Sequence, residues 1–365
     1  MTVNDKTLDN VYIIDNLGKK RRIKSVYIGV NGKAKKIADT ISNLYKCSGT
    51  LTPLSQARSS LAATSIGDYA LFGGGYDSSS SSVVDAYDTS LVRTTPTPLS
   101  QARGGLSATS IGDYALFGGG YNSSSSSVVD VIDVYNTSLV RTTPTPLSKA
   151  RSALAATSIG DYALFGGGAD VVDAYDTSLV RTTPTPLSQA RGGLSATSIG
   201  DYALFGGGDG PSAVVDAYDT SLVRTTPTPL SRARIILSST SIGNYALFGG
   251  GESNYPFVYS DVVDAYDTSL VKTTPTPLSV GRRPLAATSI GDYALFGGGN
   301  GGSFYAAIDA YDTSLVRTNP TSLLVGRDSL AATSIGNYAL FGGGRPSASS
   351  YSSVVEAYSV KNILT

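Results

Sequence analysis

One phrase, LAATSIGDYALFGGG at Leu61–Gly75, returns with small changes seven times along the chain. Its triple glycines fall at Gly73–Gly75, Gly118–Gly120, Gly166–Gly168, Gly206–Gly208, Gly249–Gly251, Gly297–Gly299 and Gly342–Gly344, at steps of 45, 48, 40, 43, 48 and 45 residues. A unit of that length built from short apolar runs is one small antiparallel sheet. It cannot bury both of its faces alone, so copies must stack around an axis. The repeat therefore predicts an all-β fold, a seven-bladed β-propeller over residues 45–365.

One unit reads as four strands. Leu106–Ile111 (LSATSI) has the small side chains suited to an innermost strand, Gly112-Asp113 makes a turn, and Tyr114–Phe117 (YALF) is a second strand ended by the glycines. A variable stretch leads to a third strand within Val128–Tyr135, usually spelt VVDAYDT as at Val83–Thr89. LVRTTPTPL (Leu139–Leu147) is expected as the outer strand, where prolines are tolerated because an edge does not need every N–H. The last unit ends at VVEAY (Val354–Tyr358) without such a strand, whereas Thr50–Arg58 (TLTPLSQAR) matches Thr95–Arg103 (TPTPLSQAR). Residues near Lys46–Leu54 are therefore expected to supply the last blade's outer strand and latch the ring.

This pattern resembles the kelch repeat over roughly residues 45–358. The glycine run after an apolar strand, Tyr87-Asp88 at the end of a third strand and Ala57-Arg58 before a first strand carry the resemblance. The usual outer-strand tryptophan is missing, with Val92 and its equivalents in its place.

The chain's zero net charge hides a split: residues 1–46 carry +6 and residues 47–365 carry −6. Val11–Ser25 and Val26–Ile37 are two basic hairpin phrases, the second with an Asn31-Gly32 turn signal. Residues 1–44 are thus expected to form a small basic hairpin module ahead of the propeller. The cluster Lys19–Arg22 with Lys24 is more cheaply read as a solvated strand face than as a nucleic-acid or lipid site. VYIGVNGKAKKI (Val26–Ile37) resembles hairpin repeats of phage and prophage tail or minor structural proteins of Gram-positive bacteria. That resemblance implies attachment to a tail or baseplate protein, or to another copy of the chain, and a place in the virion tail; without it the expectation is the cytoplasm. The polar MTVNDKTLDN lacks the apolar core of a signal peptide, and no apolar run is long enough for a membrane span.

Histidine and tryptophan are absent, Cys47 is the sole cysteine, and Glu252 and Glu356 are the only glutamates. A Ser–His–Asp triad, a zinc site and a histidine-ligated copper site therefore have no donors. No metal and no other cofactor is expected.

Loops joining second to third strands share a face with the segments leading into the next first strand. On that face the sequence varies most: YDSSSSS, YNSSSSS, AD, DGPSA, ESNYPFVYSD, NGGSFYA and RPSASSYSS. Tyrosine among serine, glycine and asparagine is the composition of adaptable binding loops. The candidate ligand-binding residues are Tyr76, Tyr121, Tyr255, Phe257, Tyr259, Arg283, Phe304, Tyr305, Arg345 and Tyr351. The two serine runs taken alone read as drifting spacers. A repeated ring, Arg58, Arg103, Arg151, Arg191, Arg234, Arg282 and Arg327, is read as bonding loop carbonyls or nearby carboxylates, with an anion-attracting rim as the alternative. These features favour a non-enzymatic recognition propeller for a bacterial surface glycan or protein. The alternatives are an intracellular interaction scaffold and a glycan-processing enzyme. A sialidase-like site would need a tyrosine, a glutamate and clustered arginines, and only Glu252 is placed to be that glutamate, since Glu356 reads as repeat variation.

Overall fold

The computed structural model describes residues 12–14, 20–22, 27–30, 33–36, 42–47 and 51–362, except 211 and 254–257. Seven four-stranded antiparallel sheets make up the propeller. Blade 4 is typical: inner strand Ser195–Ile199, second strand Tyr202–Gly206, third strand Val215–Asp219 and a short outer strand Arg224–Thr225.

Seven apolar clusters sit between neighbouring blades rather than within them. Between blades 1 and 2, Ile66, Leu71, Val84 and Ala86 meet Leu106, Ala115, Phe117 and Tyr135. The strand alphabet follows from this: ALF and VDAY are buried on both sides, so both faces must be apolar or internally paired. The triple glycine has a matching cause. A Cβ on Gly206 would lie 2.8 Å from the Phe248 ring of the next blade, and Gly207 and Gly208 both have positive φ.

Outer strands are shorter than the sequence suggests. In blade 2 only Arg141–Thr142 of the LVRTTPTPL run pairs with the third strand. The chain then leaves the sheet edge and heads for the next blade, where Leu147 is buried and Thr145 O accepts the Tyr175 O–H at 2.9 Å. Prolines at Pro144 and Pro146 withhold the N–H groups a longer ladder would use. The third-to-outer turn is held by its acid: Asp88 Oδ1 accepts from Ser90 N at 2.8 Å and Val92 N at 2.9 Å, with Leu91 at φ 63°.

The ring closes as expected in kind but not in place. Blade 7 pairs its third strand, Val355–Asn362, with Ser42–Lys46, and not with a strand spanning Lys46–Leu54. Lys46 faces Tyr358 as Arg93 faces Tyr87, so it takes the place of the repeated outer-strand basic residue. The TLTPLSQAR match is real, but it belongs to the proline segment after that strand. Closure is visible between blades 7 and 1, where Ala331, Leu340 and Val355 share a cluster with Leu61, Ala70 and Phe72.

Ahead of the ring, Tyr12–Ile14 pairs with Lys20–Arg22 and Tyr27–Val30 with Lys33–Lys36, the two expected hairpins. The Asn31-Gly32 turn lies outside the described residues.

Candidate functional site

Both expected loop sets share one face, the mouth. Ser59, in the segment leading into blade 1, bridges to Tyr76 after that blade's glycines, and Gly104–Tyr121, Ile235–Glu252, Arg283–Asn300 and Asp328–Arg345 repeat the arrangement.

The arginine ring forms no rim. Arg58, Arg103, Arg151, Arg191, Arg234, Arg282 and Arg327 are all buried, each paired with a third-strand carboxylate: Asp85, Asp133, Asp173, Asp216, Asp264, Asp309 and Glu356 in turn. Burial lowers the affinity of Arg58 and Arg234 for their protons, and the paired aspartates oppose it. Glu356 is thus the repeat's carboxylate with one more methylene, shared by Arg327 and Lys46. These pairs tie each blade to the segment leading into it.

The serine-rich loops are also tied down, against the expectation of drifting spacers. Ser80 N donates to Ser123 Oγ at 2.8 Å and Ser123 N to Ser80 Oγ at 2.9 Å, joining blades 1 and 2. Tyr76 meets Tyr351 of blade 7 edge-on at 6.0 Å. Tyr121, on a two-residue ribbon, stands 41% exposed. Tyr76 and Tyr351 thus join the loops of blades 1 and 7.

Four of the ten candidate residues converge elsewhere. Tyr259, Arg283, Phe304 and Arg345 line one cavity of about 260 Å³ over blades 5, 6 and 7, with Pro284, Asn300, Asp328 and Ala348. Tyr305 lies beside it, half-buried against Gly301. Tyr255 and Phe257 lie outside the described residues. Sequence reading missed Asp328 and Asn300. The signal was there: the residue after the ring arginine is Ser59, Gly104, Ser152, Gly192 and Ile235 in five blades, then Arg283 and Asp328 in consecutive ones.

The charges are arranged in two pairs. Arg345 grips Asp328 with a two-point fork, Nε to Oδ1 at 3.0 Å and Nη2 to Oδ2 at 3.1 Å. Those hydrogen bonds raise the Arg345 pKa above its ordinary value and use two of its five N–H donors. Arg283 Nε lies 2.5 Å from Oε2 of buried Glu252. Glu252 and Tyr259 are directly opposed on a short antiparallel ribbon, which puts both side chains on one face of it. Both arginine side chains keep about a third of their surface in solvent.

No family model and no curated protein matches the chain. Solved structures do. YjhT aligns over 86% of this chain and 99% of its own, at 14% identity and a TM-score of 0.56. A fungal alcohol oxidase of the AA5 family, in complex with copper, aligns over 85% of this chain and 76% of its own, at 13% identity and a TM-score of 0.67. These likenesses establish the fold. The second overturns the expectation of a non-enzymatic recognition protein: a protein that shares this propeller fold is an alcohol oxidase, so the fold does not mark a binder. Copper does not carry over. The chain has no histidine, its one cysteine donates to Ser359 Oγ at 3.6 Å, and no three metal-binding side chains converge among the described residues.

Proposed function

We propose that the mouth cavity is the active site of an enzyme that hydrolyses a carboxylated glycan. The observation that carries this reading is the convergence of Arg283, Arg345 and Tyr259 on one cavity, with Glu252 opposite Tyr259. Two guanidinium groups from successive blades suit a sugar carboxylate, because planar forks meet carboxylates at two points. Tyr259 and Phe304 offer rings to the apolar face of a sugar. A phenol beside a carboxylate is a nucleophile with its base, the pairing sialidases use at an anomeric carbon. In this reading Tyr259 attacks the anomeric carbon as the glycosidic C–O bond breaks, and Glu252, which also holds Arg283, takes the phenol proton and gives it to the departing oxygen; water then cleaves the Tyr259–sugar bond, its proton returning through Glu252 to the phenol, while Asp328 sets the pose of Arg345.

The kelch and tail-protein resemblances extend the proposal. Residues 1–44 would join the propeller to a tail or baseplate protein, or to another copy, in the virion, and turn the mouth towards a bacterial surface glycan.

Sugar release from a panel of carboxylated oligosaccharides tests the reading. Tyr259→Phe is expected to lower kcat by about a hundredfold or more while KM moves little, as for loss of a group that acts in the transition state. Arg345→Lys is expected to raise KM by about tenfold. A wild-type chain inert on the whole panel, or a Tyr259→Phe variant with full turnover, would sink it.

A further inference from the structure

A collar of backbone hydrogen bonds runs around the mouth, and it is broken at the candidate site. The residue two after each ring arginine has positive φ in six blades: Ser60, Gly105, Ala153, Gly193, Ile236 and Ser329. In five places its N–H reaches, or its carbonyl receives, the equivalent residue of the neighbouring blade. Ser60 N donates to Ser329 O at 2.9 Å, Gly105 N to Ser60 O at 2.9 Å, Gly193 N to Ala153 O at 2.9 Å, Ile236 N to Gly193 O at 2.7 Å and Ser329 N to Pro284 O at 3.3 Å. The seventh collar position is Pro284. Proline has no N–H and its ring fixes φ near −65°, so this position cannot adopt the collar conformation or reach Ile236 O. Pro284 lines the cavity. The other missing link, from Ala153 to Gly105, lies between blades 2 and 3.

We infer that Pro284 is the positioning residue that opens the cavity: by leaving blades 5 and 6 unlinked at the collar, it makes room beneath Arg283 and Arg345 for one terminal acidic residue of a glycan. The substrate part of this inference rests on the reading proposed above. The volume, about 260 Å³, lies just below the ~300–1,000 Å³ usual for ligand pockets. It holds a chain end rather than the middle of a chain.

Glycine at position 284 restores both the donor and access to positive φ, and serine matches Ser60 and Ser329. In Pro284→Gly and Pro284→Ser the new amide is expected to exchange with deuterium slowly, as a bonded amide does. Labelling of Arg283 and Arg345 by p-hydroxyphenylglyoxal, followed by mass spectrometry, is expected to slow by about tenfold as the hollow closes, and KM for a carboxylated oligosaccharide to rise by about tenfold with kcat little changed. A fast-exchanging amide at 284 in both variants overturns the collar. A protected amide with unchanged labelling overturns the link between collar and cavity. Should the wild type release no sugar, the enzymatic reading fails, while exchange and labelling still decide the role of Pro284.

Discussion

Replacing Asp309 by alanine is expected to destabilise the propeller by about 3–5 kcal/mol, the range for removing one member of a buried ion pair. Asp309 is fully buried and is the most heavily bonded of the ring carboxylates. It accepts from Arg282 Nη2 at 2.7 Å, Arg317 Nη1 at 2.7 Å, Asn319 Nδ2 at 2.7 Å, Ser279 N at 3.0 Å and Ser279 Oγ at 3.0 Å. Alanine leaves the Arg282 cation buried with only carbonyl partners, Phe296 O at 3.2 Å and Val280 O at 3.2 Å. The cost comes from that stranded charge more than from the worth of the pair, so Arg282→Met added to Asp309→Ala should recover part of the loss. Urea unfolding of the single and double variants measures both; a single-variant loss under about 1 kcal/mol would contradict the account.

The same carboxylate gives the ring an acid dependence. Burial alone would raise its pKa, but Arg282, Arg317 and the Ser279 amide hold it below the ordinary 3.8. A carboxylate depressed in the folded state stabilises fully above its unfolded value and loses that contribution as pH falls through the folded one. Wild-type stability should therefore drop below about pH 4, and the Asp309→Ala variant should drop less steeply there.

How much of this was legible in the sequence depended on whether a feature is periodic. The blade count, the glycine run and the shared mouth follow from a repeat, since sevenfold spelling leaves few foldings that bury every copy. The buried arginines were half legible: position and period could be read, but their carboxylates lie 22 to 30 residues further on in the chain, from Arg151–Asp173 to Arg103–Asp133 and Arg234–Asp264. The outer strand was overread because TTPTPL alternates like a strand while its prolines withhold the donors a ladder needs. The site was legible only where the repeat fails. Arg283 and Arg345 stood out as departures from a strong pattern. Asp328 departs at the same repeat position as Arg283, and Pro284 at the next, but their roles depend on neighbours in other blades, Arg345 after the last glycine run and Ile236 one blade back. Tyrosine content misled: Tyr76 and Tyr351 have the makings of ligand contacts, yet they spend their rings on each other.

Removing residues 1–46 is expected to unlatch the ring, whereas removing residues 1–41 leaves its stability unchanged. The difference is one strand. Ser42–Lys46 pairs along Tyr358–Asn362, and Cys47 N donates to Ala357 O at 2.9 Å. Leu44 packs against the cluster that joins blades 6 and 7, which also contains Tyr358 and Leu330. Lys46 Nζ lies 2.5 Å from Glu356 Oε1 and donates to Ser322 O at 2.9 Å. Without this strand the third strand of blade 7 becomes a bare edge, Leu44 no longer covers the cluster, and Glu356 keeps Arg327 but loses its second cation. Five ladder positions, one apolar side chain and one ion pair together make a loss of about 3 kcal/mol or more, from ~1 kcal/mol per net hydrogen bond and ~1.5–3 kcal/mol per buried leucine. The bare edge also offers a template for pairing between molecules, so the shorter chain should elute as oligomers in gel filtration. Equal urea midpoints and equal elution for the two truncations would mean that the latch is dispensable, and that the blade-to-blade cluster between Phe72 and Gly342 closes the ring unaided.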